Sequence, residues 1–339
     1  MNKKTLSLLL AIILVLSVAL VGCKKEEPTT EAPAGEETTG EETTGGDSQF
    51  LTIATGGVAG AYYPLGGALA NIYNTIDGIT ANVQSTGASI ENIGLIAEKE
   101  ADVAFIQNDV TYYAWEGIES FDGKPVVENI RGLAVLYPEV VQIIAGADSG
   151  INSVEDLKGK KVAVGAPGSG TEVNARQILE AYGITYDDIT EDFLSFNEAA
   201  DQLKNKQVDA AFVTAALPTS AVTEVTQTAD IKVIPVDSSI IDGLKAEYPF
   251  YAEVVIPGGT YKGNDDDVVA TAVMAMLVVN EDLDEDLAYE MTKQMYEQID
   301  TIIASHARGE DIKLEQALDG MPITVHPGAQ RYFDENGVK

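Results

Sequence analysis

The chain predicts an α/β fold of two lobes, and three observations carry that reading. From residue 51 onward, short runs of strand-forming residues alternate with segments of helical period. One buried-strand pattern occurs twice, as Asp102-Val103-Ala104-Phe105-Ile106 and as Asp209-Ala210-Ala211-Phe212-Val213. The folding body, from about Gln49 to Lys339, is too long for one small core. Repeated β-α-β units argue for parallel or mixed sheets with helices on their faces. A ligand cleft is expected between the lobes. Lobe 1 is expected to hold 49–140 and 259–339, and lobe 2 to hold 141–258.

The elements follow in order. Leu51-Thr52-Ile53-Ala54 reads as a strand, then Gly56-Gly57, then a helix with Leu65, Leu69, Ile72, Tyr73 and Ile76 on one face. Ala81-Asn82-Val83-Gln84 is a second strand. The turn Ser85-Thr86-Gly87-Ala88-Ser89 leads to a helix carrying Ile90, Ile93 and Ile96. Asp102 to Ile106 is a third strand. Leu133 to Ala145 is apolar and extended, and is expected to cross between lobes. Lys161 to Val164 is a strand, Gly165 to Gly170 a loop, and Thr171 opens a helix that Gly183 stops. Asp209 to Val213 is the repeated strand. Val268 to Val279 is a long apolar run expected to return the chain to lobe 1. Helices from about Leu283 to Ser305 then complete that lobe.

Residues 1–22 have the layout of a secretory signal: Lys3 and Lys4, an apolar stretch, then Leu20-Val21-Gly22. Cys23, the one cysteine, follows directly and resembles the lipidated residue of a bacterial lipobox. Residues 23–48 are rich in Glu, Thr, Gly and Pro, and read as a disordered tether. The body would then sit outside the cytoplasm, on the outer face of the membrane. The formal charge is −33. Removing Lys3 and Lys4 with the leader makes it more negative still. An acidic surface of this kind argues against nucleic acid and anionic headgroups as partners. With Cys23 lipidated, neither disulfides nor thiol catalysis is available. Nothing in the sequence demands more than a monomer.

Four small-residue turns fall at strand ends, where open α/β sheets bind ligands. They are Gly56 to Tyr63, Ser85 to Ser89, Gly168-Ser169-Gly170-Thr171, and Thr214 to Pro218. The first three lead into helices, whose N-terminal N–H groups can hold an anion without a cationic side chain. Glycine lets the backbone approach closely, and hydroxyls add donors. A plain helix cap accounts for any one of these turns, but several turns from both lobes can converge on one cleft. Of Tyr62 and Tyr63, one is expected in the cleft and one in the core. Gln107, at the end of the third strand, faces either the cleft or water.

Several kinds of catalyst are disfavoured. Gly165 to Thr171 lacks the lysine of a phosphate loop, and its glycine spacing does not fit G-x-G-x-x-G. Pro167 stands where a nucleophile elbow around Ser169 needs glycine. The run Asp265-Asp266-Asp267 lacks the alternation of a calcium loop. His306 and His326 are far from the turns in sequence. No cofactor and no metal site is expected.

These residues together resemble the TAXI family, the solute receptors of TRAP-type transporters. The resemblance rests on Gly56-Gly57 through Gly66, Ser85 through Ser89 with Asn92, Asp102 through Gln107, and Asp156 through Val162. It continues through Gly168 to Thr171, Asp209 to Phe212, Pro218, Tyr248-Pro249, Pro257 through Tyr261, and His326-Pro327-Gly328-Ala329 with Arg331-Tyr332. It implies a type II periplasmic-binding-protein fold. It implies capture of a small organic acid or amino acid, such as glutamate or glutamine, for a TRAP membrane permease. The alternative is a receptor of an ABC importer, or a sensory protein, for a small anion. The ligand contacts it implies are Tyr62, Tyr63, Thr86, Ser89, Gln107, Ser169, Thr171, Thr214 and Pro218, to which the turns add Gly57, Gly168 and Gly170. The His326 segment would be structural or face the permease.

Overall fold

A computed structural model describes residues 48–339. The leader, Cys23 and nearly all of the tether lie outside the described residues. The first half opens with β1 (Gln49–Ala54), α1 (Tyr62–Tyr73), β2 (Ile79–Gln84), α2 (Ser89–Ala97), β3 (Val103–Gln107) and α3 (Asn108–Glu116). Leu65, Leu69 and Ile72 bury one face of α1, as their spacing requires. Gly117, in the left-handed region, ends α3. The 17-residue β4 (Ile130–Gly146) follows and is buried along almost its whole length.

The second half holds β5 (Lys161–Ala163), α4 (Gly170–Ala181), β6 (Thr190–Asp192), α5 (Phe196–Lys204) and β7 (Ala210–Ala215). Then come α6 (Ser220–Thr228), β8 (Ile231–Ile234), α7 (Ser238–Glu247) and β9 (Ala252–Ile256). The chain returns through β10 (Val268–Asn280) to α8 (Glu285–Glu297), α9 (Ile299–Ser305) and α10 (Pro327–Glu335). Ser169 caps α4, accepting from Glu172 N at 3.2 Å, and Ser195 with Glu198 forms a capping box on α5.

The strands lie in the order β2-β1-β3-β10-β4-β7-β5-β6, with β8 added on β4 and β9 on β10. β1 pairs parallel with β2 and β3, and β5 pairs parallel with β6 and β7. The long β4 and β10 are antiparallel to their neighbours and to each other. They join the parallel group of each half into one mixed sheet. β10 starts against β9 in the second half and ends against β3 in the first, so the crossover lies inside the strand. Each half has its own apolar core. One gathers Leu51, Ile53, Leu65, Phe105 and Leu277 with helix residues Met291 and Phe333. The other gathers Ile143, Val162, Ile178, Leu179 and Phe212.

Both histidines have backbone roles. His326 is buried and caps α10, accepting from Gly328 N, with its Nε2 3.0 Å from Leu283 O. His306 accepts from Arg308 N at the start of a short helical turn. Among the described residues no helix is long and apolar enough to cross a membrane.

Candidate functional site

The ends of β1, β3 and β7 converge with the first turns of α1, α2 and α4 around one cavity. The space open to the centre of a water-sized sphere is ≈ 80 Å³. One water needs roughly 10–15 Å³ by that measure, so a small molecule fits. The first half contributes Gly56, Gly57, Tyr62, the 86–89 turn, Gln107 and Glu139. The second half contributes Ala166, Ser169, Gly170, Thr171, Ser195, Phe196 and Thr214.

Nine of the twelve expected contacts thus line one cavity: Gly57, Tyr62, Thr86, Ser89, Gln107, Ser169, Gly170, Thr171 and Thr214. Three lie off it. Tyr63 is exposed because one helical step of about 100° turns it away from the face that Tyr62 occupies. Gly168 instead holds the halves together, its carbonyl accepting from Ile90 N at 3.0 Å and Glu91 N at 3.3 Å. Its φ of +76° suits glycine there. Pro218 lies beyond β7, on the turn into α6.

Those carbonyl bonds change the balance of donors. Two first-turn N–H groups of α2 are already used on Gly168 O, so α2 offers less to an anion than its position suggests. Thr86 Oγ1 lies 2.9 Å from Thr55 O and 2.7 Å from Asn92 Oδ1, so its proton is committed to the loop. Ser89 Oγ accepts from Gln107 N at 3.2 Å. The open helix terminus is that of α4, where Gly170 and Thr171 line the cavity and first-turn N–H groups have no partner within the helix.

Glu139 was not anticipated from the sequence. It lies on β4, is 3% exposed, and accepts from Tyr62 Oη at 2.7 Å. Burial pushes its carboxyl up to about 8; Tyr62 opposes the shift, Asp109 adds to it, and Gln107 opposes it. Burial also raises the Tyr62 phenol well above its usual range, with Glu139 adding to the effect. The signal in the sequence was one acid inside the apolar run 133–145. Missed too were Ser195 and Phe196 at the start of α5, since the loop before them reads as an ordinary connection. Gln107 Oε1 and Thr214 Oγ1 are buried and without hydrogen-bond partners among the described residues. No Lys, Arg or His is among the lining residues.

Behind the cavity a buried polar network joins the halves. Asn174 Nδ2 donates to Asp109 Oδ2 and to Tyr251 Oη, each at 2.9 Å. Tyr251 Oη donates to Gln177 Oε1 at 2.7 Å, and Gln177 Nε2 donates to Tyr113 Oη at 3.2 Å. At its edge Arg176 pairs with Glu119 at 2.8 Å. The halves are closed on each other.

Residues 53–337 match the family model described as NMT1-like. The chain belongs to the NMT1-like family. The family's description names neither TAXI nor TRAP. Among solved structures, a protein from Bordetella bronchiseptica RB50 has a TM-score of 0.52 at 17% identity, over 82% of this chain and 83% of that one. A periplasmic transporter gives 0.52 at 11% identity, over 84% and 94%. A protein named for an L-cystine ABC transporter from Listeria monocytogenes gives 0.49 at 16% identity, over 78% and 98%. Similarity at these identities is one of fold, and the fold is of the periplasmic-binding-protein type.

Proposed function

We propose that this NMT1-like protein is an extracytoplasmic solute receptor, which encloses a small organic acid or amino acid and delivers it to a membrane permease. One observation supports this most: a single cavity lined from both halves, at the carboxyl ends of parallel strands, with the α4 N-terminus opening into it. Contacts from both halves favour the closed state, because a ligand that touches both binds it better. The closed form is then what the permease meets. A binding role fits better than catalysis, since both histidines serve backbone caps away from the cavity.

Two permease types are open to such a receptor. The motif resemblance carries the TRAP type. The alternative is an ABC-type importer, the kind of transporter for which the Listeria protein is named. Transport assays on the receptor with each candidate permease separate them: ATP dependence marks one, and dependence on an ion gradient the other. Anchoring through Cys23 would hold the receptor near either permease and raise its local concentration.

The receptor reading is tested by thermal-shift screening of the purified protein against amino acids, mono- and dicarboxylates and sulfonates. A ligand at 100 times its Kd should add about 2.7 kcal/mol of stability. Reversible stabilisation without turnover is the expected result. Turnover of a stabilising compound would replace the receptor with an enzyme.

A further inference from the structure

The polar network behind the cavity is one donor short. Asn174, on α4 of the second half, spends both amide protons, on Asp109 Oδ2 and on Tyr251 Oη. Tyr251 Oη has no proton to return, because it donates to Gln177 Oε1. Two oxygens are left over. Asn174 Oδ1 and Asp109 Oδ1 are buried and have no hydrogen-bond partner among the described residues. They belong to side chains that are already joined across the halves and are fully buried. Buried acceptors rarely stay unsatisfied. One proton on Asp109 Oδ1 answers both, since a protonated carboxyl has an O–H donor and an amide carbonyl accepts. Acid and amide are then joined by two hydrogen bonds, one in each direction.

Nothing around Asp109 supplies a cation in place of that proton. Tyr113 lies on its own helix α3, Tyr62 faces it from α1, Glu139 from β4, and Tyr251 from the segment before β9. β3 and β10, which pack on α3, carry no titratable side chain. On α2, Glu91 accepts from Gly87 N. On α4, Arg176 is held among Glu119, Glu172 and Glu180. A carboxylate buried among such neighbours is costly, and burial pushes Asp109 up to about 6.

We propose that Asp109 and Asn174 form a proton-operated latch between the halves: closing takes one proton from solvent onto Asp109 Oδ1, which donates to Asn174 Oδ1, and opening returns it. The latch presupposes halves that open, as the receptor reading above has them. In the open state water reaches Asp109, which then ionises in its ordinary range near 3.8. The closed state keeps the proton up to about 6. Closure is therefore favoured below that pH and loses this contribution as pH rises through it. From about pH 5 to about pH 7.5 the closed-to-open ratio falls about tenfold through this group.

Hydrogen exchange on the full chain reads the latch. Ile90 N and Glu91 N, in the first turn of α2, bond across the halves to Gly168 O, so their exchange reports opening. Asp109→Asn replaces the proton with a permanent amide donor of the same shape. Protection of these amides in Asp109→Asn, divided by that in wild type at the same pH, should grow about tenfold from about pH 5 to about pH 7.5. Comparison at one pH cancels the intrinsic exchange rate and the contribution Glu139 makes in both proteins. A ratio that does not change with pH overturns the latch and leaves the receptor reading standing. Exchange too slow to measure in both proteins at both pH values means that the halves stay shut, which overturns the latch together with the receptor's closure step. If Asp109→Asn fails to fold by circular dichroism, infrared spectra decide at about pH 5, below the titration of the closed state. Asn174→Ala should there shift the carbonyl band of a protonated carboxyl relative to wild type, and an unshifted band overturns the latch.

Discussion

Glu139 and Asp109 are carboxyls held almost wholly out of water, Glu139 at the wall of the cavity and Asp109 behind it. Burial pushes Glu139 up to about 8 and Asp109 up to about 6, from ordinary values of 4.5 and 3.8. Asn174 and backbone N–H groups pull Asp109 partly back. The folded protein therefore keeps these protons at pH values where the unfolded chain has lost them. Stability from these two groups is fully present below the ordinary carboxylate range and falls as pH rises through about 6 and then about 8. Denaturant melts of the ligand-free protein from about pH 5 to about pH 9 should show that decline, and Glu139→Gln should remove its upper part. A decline unchanged in the variant would place the upper titration elsewhere. The residue scale is also where the sequence reading was least complete. Tyr62, Ser89, Gln107 and Ser169 were legible because strand-end turns with hydroxyls advertise themselves. Glu139 was not, because a single acid within an apolar run reads as an interruption until the fold shows what surrounds it.

At the scale of elements, the strands and helices that frame the cavity were read from periodicity, whereas α3, α5, α6, α7, α10, β6, β8 and β9 were not. β1, β2, β3, β5 and β7 each overlap the expected run, and α1, α2 and α4 follow the expected turns. β6 escaped notice because Thr190-Glu191-Asp192 is short and polar, and pairing with β5 rather than its own pattern makes it a strand. The first turn of α4 is closely packed at Gly170. A Cβ on Gly170 would overlap the Gln107 side chain and stand 3.0 Å from Ser89 Oγ, and both of those belong to the other half. Gly170→Ala should therefore resist closure while leaving each core intact. The expected outcome is near-wild-type circular dichroism with ligand affinity lowered at least about tenfold, since a smaller closed population reduces apparent affinity in proportion. Unchanged affinity would mean that closure does not bring α4 against Gln107.

The whole molecule depends on contacts that no local pattern announces. Asn174 donates to both Asp109 and Tyr251. Asn174→Ala leaves a buried carboxyl without that donor, at a cost of about 1–3 kcal/mol. The relief available is to open, which lets water reach Asp109. Small-angle scattering of the variant should show a larger radius of gyration than wild type, and ligand should reverse the difference. Equal radii with lowered thermal stability would make the network a feature of the fold alone. The amino-acid sequence by itself determined the α/β class, the order of most elements and the turns that line the cavity, because backbone periodicity and turn chemistry are local. Tertiary structure alone decided that β4 and β10 join both halves in one mixed sheet, and that α2 spends two first-turn donors on Gly168 while α4 spends one, that of Glu172, on its own Ser169 cap. It alone set Glu139 against Tyr62 with no cation beside it. Those outcomes depend on which distant groups share a dry space, and burial, charge and hydrogen-bond supply there are properties of the packed molecule.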